Sequence, residues 1–158
     1  MKIEKAGGKD IKLLTDLRIA YLKEDHGILS EQEEEAIAKG LPAYYESHLG
    51  RDLFCWLAYE ENEIVSCAFL LVSEKPMSPA FINGKTGTVL NVYTKPAYRH
   101  QGYARAIINE LLEDARKMEL CTVELKATDA GYSLYCEAGF ADEVQYHPMK
   151  WKNPAFFD

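Results

Sequence analysis

Apolar positions along this chain switch between two periods. From Asp10, an expected N-cap, Ile11, Leu14, Leu17, Tyr21 and Leu22 recur three and four apart, which lays one stripe along a helix. Ser30 and Glu33 have the spacing of a capping box and start a second helix. Gly40 and Pro42 should break or kink it before Tyr44, Tyr45, His48 and Leu49 continue the apolar face, because proline lacks the N–H that the preceding turn needs. The period then shortens. Leu53–Tyr59 and Ile64–Val72 are apolar, aromatic and β-branched runs joined by polar Glu60–Glu63, the pattern of a hairpin. Lys2–Lys5 is a short candidate strand ahead of them. Ser73–Gly87 contains Pro76, Pro79, Gly84 and Gly87 and reads as a loop, and Thr88–Thr94 reads as a strand whose exit Pro96 marks.

Helical spacing returns with Ala104, Ile107, Ile108, Leu111, Leu112, Ala115 and Met118 on one face. Arg116 and Lys117 lie near its C-terminus, where the helix dipole favours cations. Cys121–Ala127 alternates as a strand. Asp129 is expected to cap a short helix through Ala138, ended by Gly139–Phe140, and Val144–Trp151 forms a last expected strand. The order implies an α/β fold, one mixed sheet flanked by helices. No repeat or linker divides residues 1–158, so one domain is expected.

Composition narrows the function. Hydrophobic residues make up 47% and charged ones 27%, ordinary for a soluble protein. No apolar run approaches the ~20 residues of a membrane span, and the first ten residues lack a signal core, so a cytoplasmic location is expected. A formal net charge of −7 without a Lys/Arg stripe argues against nucleic-acid or anionic-membrane partners. Cys55, Cys67, Cys121 and Cys136 form no CxxC pair and sit among apolar neighbours, so all four are expected to be buried free thiols. His26, His48, His100 and His147 show no ligand spacing, and no metal is expected.

A polyanion would therefore need a local positive site, and Tyr98–Ala115 offers one. A helix N-terminus presents unpaired N–H groups and partial positive charge. Gly102 and small Ala104 let phosphate oxygens approach that backbone, with Arg99 and Arg105 on either side. Gly84–Thr86 superficially matches the end of a P-loop, but Pro79 stands where that motif needs glycine and no helix follows.

The run from Leu90 to Leu112 resembles the signature of the GNAT superfamily of acetyl-CoA-dependent N-acetyltransferases, whose motif is Gln/Arg-x-x-Gly-x-Gly/Ala after a strand. Leu134–Phe140 resembles the family's Tyr-x-x-x-Gly-Phe segment one strand later. The resemblance implies a mostly antiparallel mixed sheet and acetyl-CoA as cosubstrate. It implies that Arg99, Gln101, Gly102, Tyr103, Ala104 and Arg105 hold the pyrophosphate. Val92, Tyr93 and Thr94 would pair with the pantetheine arm and polarise the acetyl carbonyl. Thr128 and Asp129 stand where many members carry an asparagine that contacts coenzyme A.

By the same resemblance the acceptor amine attacks the thioester directly, and Tyr135 is the acid for the departing thiolate. A phenol of pKa ~10 is protonated at neutral pH and can donate. The base is not legible. Some members use a glutamate on the strand before the turn, but that strand here offers Asn91, which cannot titrate. Glu24, Asp25 and His26 are more simply a polar helix end, and a water chain is an equal alternative. Glu31–Glu35 suits a helix N-terminus, and Tyr21, Tyr44 and Tyr45 have the spacing of core residues. The expected partners are a small-molecule or peptide amine and, as an open option, a second copy in a homodimer.

Overall fold

Alternation along the hairpin strands decides which helix lies on which side of the sheet. The computed structural model describes residues 1–157. β1 (Lys2–Lys5), β2 (Leu53–Glu60), β3 (Glu63–Glu74) and β4 (Lys85–Thr94) pair antiparallel in that order, and β5 (Thr122–Glu124) adds parallel to β4. Trp56, Ala58, Ala68 and Leu70 face one side and Cys55, Leu57, Cys67 and Phe69 the other. The first side is covered by α3 (Tyr103–Lys117), which buries Tyr103, Ile107, Ile108, Leu111 and Ala115. The second is covered by α1 (Ile11–His26) and α2 (Glu31–His48) through Leu14, Leu17 and Tyr45. The expected mixed, mostly antiparallel sheet flanked by helices is the fold observed.

Several expected boundaries move. α2 runs unbroken through Gly40 and Pro42. Leu41 and Tyr45, on either side of Pro42, pack into the same cluster, and that packing holds the helix in register despite one missing hydrogen bond. β3 and β4 extend to Glu74 and back to Lys85, where their register joins them, so the expected Ser73–Gly87 loop contracts. Asp10 sits at the N-cap of α1, but its carboxylate accepts from Gly7 N–H (2.9 Å) rather than capping the helix. The short helix α4 (Tyr132–Ala138) is preceded by Gly131 rather than by Asp129. Residues 144–151 form no strand, and Val144, Tyr146, Met149 and Trp151 are exposed. Cys55 and Cys67 are buried as expected; Cys121 and Cys136 are exposed, because they fall just before the short β5 and on the outer side of α4 rather than inside a layer.

The feature that matters for function is where β4 and β5 part. Their ladder covers only Thr86–Thr88 with Thr122–Glu124, short of the Cys121–Ala127 strand expected. Beyond it β4 carries an irregularity: Cys67 pairs with Tyr93 and Phe69 with Leu90, so Asn91 and Val92 together oppose Ala68. Asn91 takes a left-handed φ of 52°. A bulge bends and twists its strand, and past this one β4 has no strand neighbour on its β5 side.

Candidate active site

At the open edge, strand parity sorts the backbone groups. Lys95 N–H donates to Val65 C=O (2.9 Å), and Tyr93 C=O accepts from Ser66 Oγ (2.9 Å), so these two residues turn their main chain towards β3. Alternation turns Val92 and Thr94 to the open edge. The Thr94 carbonyl is bonded there by Arg99 Nε (2.8 Å). Tyr93 contributes its ring instead, with the Arg99 guanidinium 5.7 Å from the ring centroid.

The turn after β4 carries two left-handed residues, His100 (φ 61°) and Gly102 (φ 88°). A Cβ on Gly102 would meet nothing within 4 Å, so the protein itself requires glycine for its φ rather than for space. The first bond of α3 runs from Ala106 N–H to Gly102 C=O (3.0 Å), which leaves the N–H groups of Tyr103, Ala104 and Arg105 without an intrahelical acceptor. Tyr103 offers only that N–H: its ring is buried and its hydroxyl donates to Glu60 (2.7 Å), which pushes the phenol up to about 12. Gln101 is exposed and bonds Ala97 C=O through its side chain (3.1 Å).

The two arginines are not free charges. Arg99 grips Glu24 at the end of α1 with both terminal nitrogens, at 2.5 and 2.6 Å. The pair ties α1 to the exit of β4 and holds the Glu24 carboxyl below its usual range, which weakens it as a base. Arg105 pairs with Glu137 of α4 beside a cavity of about 150 Å³ between α3 and α4.

Tyr135 stands on α4 and packs against the core cluster on the α3 side of the sheet. Its ring packs edge-on against Phe140, with centroids 5.9 Å apart, and over Gly131, where a Cβ would come within 2.9 Å of it. Burial pushes its phenol up to about 12, with Tyr21 of α1 adding to the shift. The hydroxyl therefore keeps its proton at neutral pH. The structure thus holds an open main-chain edge on β4, unpaired N–H groups at the start of α3 and a protonated phenol on α4.

Sequence comparison points the same way: the model of the acetyltransferase (GNAT) family matches residues 15–140. The chain belongs to the GNAT family of acetyltransferases. It is an acyltransferase by that membership. A predicted acetyltransferase from Clostridium acetobutylicum, crystallised with acetyl-CoA, superposes with a TM-score of 0.82 at 29% identity, over 94% of this chain and 95% of that one. A GCN5-related N-acetyltransferase from Ralstonia eutropha follows at 0.75 and 22%, over 94% and 97%. An aminoglycoside acetyltransferase from an uncultured soil metagenomic sample gives 0.72 and 18%, over 96% and 98%, a likeness of fold alone. No curated protein sequence matches the chain.

Within this acetyltransferase, sequence reasoning passed over Arg18. The residue stands between Leu14 and Tyr21 on the inward stripe of α1, and a cation on a core-facing stripe was the available signal. Its Nη1 donates to Asn91 Oδ1 (3.1 Å), while Asn91 Nδ2 lies 3.5 Å from Cys67 Sγ. Of the three tyrosines read as core, Tyr45 is buried and stacked on Phe69, Tyr21 is half-buried and Tyr44 is exposed. Asp25 and His26 pair with one another at the solvent-facing end of α1 (3.3 Å). Thr128 Oγ1 accepts from Gly131 N–H (3.3 Å) and so shapes the entry to α4.

Proposed function

We propose that this chain, as one domain over residues 1–158, moves an acetyl group from acetyl-CoA to a primary amine of a small molecule or peptide, by direct attack in a ternary complex. The observation that carries this reading is the open edge of β4 at Val92 and Thr94, followed directly by the free N–H groups at the start of α3; the protonated Tyr135 phenol supports it. The N–H groups of Gly102, Tyr103, Ala104 and Arg105 complement a diphosphate. The main chain of Val92 and Thr94 holds an extended amide-bearing arm as a neighbouring strand would. Acetyl-CoA supplies an activated acyl group whose leaving atom is a thiolate. As the new N–C bond forms and the C–S bond breaks, the Tyr135 hydroxyl donates a hydrogen bond to the developing thiolate, which then takes its proton from solvent. The amine's proton leaves through water, because Asn91 cannot titrate and Glu24 is held by Arg99.

The acceptor of the soil aminoglycoside enzyme does not transfer at 18% identity, so the amine is assigned here by class only. A cytoplasmic site of action is part of the proposal. So is a homodimer, which would cover the exposed Val144, Tyr146, Met149 and Trp151. Release of free thiol from acetyl-CoA, with a panel of amines, tests the activity. Tight acetyl-CoA binding with no amine-dependent thiol release would replace the enzyme by a binding module. Light scattering that returns the monomer mass would remove the dimer.

A further inference from the structure

Arg18 has a guanidinium that the fold does not use up. Of its five N–H donors, one hydrogen bond to protein is made, to the Asn91 side chain at the β4 bulge. Among the described residues no carboxylate lies within 4.0 Å of it, whereas Arg99, Arg105 and Arg116 are all ion-paired. The fifth arginine, Arg51, is exposed, whereas Arg18 is half-buried. The carboxylates around this end of the sheet already have basic neighbours: Glu24 has Arg99, Asp25 has His26 at 3.3 Å, and Asp52 has His48 at 2.8 Å.

Its surroundings resemble the wall of a small-molecule site. The guanidinium lies 5.8 Å from the centroid of the Tyr21 ring, and its charge reaches Tyr44 and Tyr45 of α2. Its partner Asn91 directly precedes Val92, the first residue turned to the open edge, and Tyr21 is also within electrostatic reach of Tyr135. Arg18 thus lies on the α1–α2 side of the place where the proposed reaction occurs. A fixed cation there disfavours an ammonium and favours the neutral, nucleophilic amine. It also repels any acceptor whose only charge is that ammonium. An acceptor that brings its own oxyanion removes the repulsion and fills the free donor fork.

We propose that Arg18 anchors an oxyanion subsite, so that the acceptor is a primary amine carrying a carboxylate or phosphate group. The subsite rests on the acetyl-transfer reading for its position but is testable apart from it. The assay compares matched acceptors by thiol release: an α-amino acid against its carboxamide, and phosphoethanolamine against ethanolamine. The wild type should prefer the anionic member of at least one pair, and the preferred pair distinguishes carboxylate from phosphate. Arg18→Gln keeps a donor for Asn91 but removes the charge, and should reduce the anionic-to-neutral ratio of kcat/KM by about 10–100-fold. Arg18→Lys, with charge but no fork, should fall between. If Arg18 only steadies the bulge, both members of a pair decline together and the ratio stays constant, which overturns the proposal. Preference of the wild type for the neutral members overturns it too. Saturation-transfer NMR of the same anionic compounds on coenzyme A-loaded protein reads binding without turnover. Arg18-dependent binding with no thiol release on any amine would sink acetyl transfer and sustain the subsite; Arg18-independent binding would sink the subsite.

Discussion

Replacing Tyr135 by phenylalanine removes one oxygen and keeps the ring that Phe140 and Gly131 pack against. The hydroxyl's environment is set by burial and by Tyr21, with no hydrogen-bonded partner contributing, so its loss should alter stability by less than about 0.5 kcal/mol. The kinetic effect follows from the gap between two acids. A thiol like that of coenzyme A has a pKa near ~8.5, taking cysteine as the guide, whereas burial holds the Tyr135 phenol at about 12. Full proton transfer across roughly 3.5 pH units is uphill by about 5 kcal/mol. The hydroxyl therefore acts chiefly by hydrogen-bonding the developing thiolate, and its removal should cost about 10², the lower end of the ~10²–10⁴ expected for general acids. The loss belongs in kcat, with acetyl-CoA affinity unchanged, since the proposed diphosphate contacts lie at the start of α3. Because the phenol stays protonated to well above pH 9, the wild-type-to-variant ratio should be flat between pH 6 and 9. Rapid-quench measurement of a single turnover isolates the chemical step. A variant that matches the wild type there would make Tyr135 a packing residue, and a ratio that changes through neutral pH would assign the proton to another group.

Four further outcomes are expected. Gly102→Ala forces a left-handed φ on a residue with a Cβ, which costs about 1–2 kcal/mol, and calorimetry should show weaker coenzyme A binding; Gly102→Asn, which tolerates that φ better, should retain more of both, and equal loss in the two would assign the defect to bulk at the ligand. Arg99→Lys cannot make the two-nitrogen contact with Glu24 while also bonding Thr94 C=O, so acetyl-CoA affinity should fall several-fold with stability nearly unchanged, as both side chains are part-exposed; an unchanged affinity would make the clamp incidental. A thiol reagent should titrate Cys121 and Cys136 in the native protein and all four cysteines only in denaturant, because burial raises the Cys67 thiol to about 12 and Cys55 well above its usual value; a fast third thiol would contradict the packing. Unfolded tyrosines ionise near ~10 while Tyr103 and Tyr135 hold their protons to about 12, so stability is fully present below pH 10 and falls as pH rises towards 12; a denaturation midpoint constant between pH 9 and 11.5 would contradict those two shifts.

Periodicity located the elements well where one face meets a core, as in α3, whose stripe from Ile107 to Ala115 is the buried face. It failed where packing overrides a local signal. Pro42 looks like a break, yet Leu41 and Tyr45 hold the helix through it. Val144–Trp151 has strand-forming residues, yet it pairs with no strand of the sheet and its Val144, Tyr146, Met149 and Trp151 lie exposed. The proposed donor half of the site rests on local marks in sequence, a glycine before a helix and a tyrosine before Gly139–Phe140. The proposed acceptor half leaves no such mark, because Arg18 and Asn91 are 73 positions apart and only the fold makes them neighbours. Glu24 illustrates the same limit: it looked like part of a polar helix end, and 75 positions later Arg99 turns it into a clamp.

The parting of β4 from β5 has a consequence for how such a chain can change over generations. The proposed grip on the donor is made of peptide groups, at the open edge of Val92 and Thr94 and at the start of α3, and peptide groups are the same under every side chain. Substitution can therefore vary most of these positions without erasing donor recognition, provided the left-handed turn at Gly102 survives. The acceptor wall proposed opposite it is built the other way, from the side chains of Arg18, Tyr21, Tyr44 and Asn91, each of which a single codon can replace. A scaffold divided like this keeps its donor while its acceptor drifts. Selecting a library randomised only at those four positions for new amines should yield altered acceptor choice with coenzyme A affinity intact.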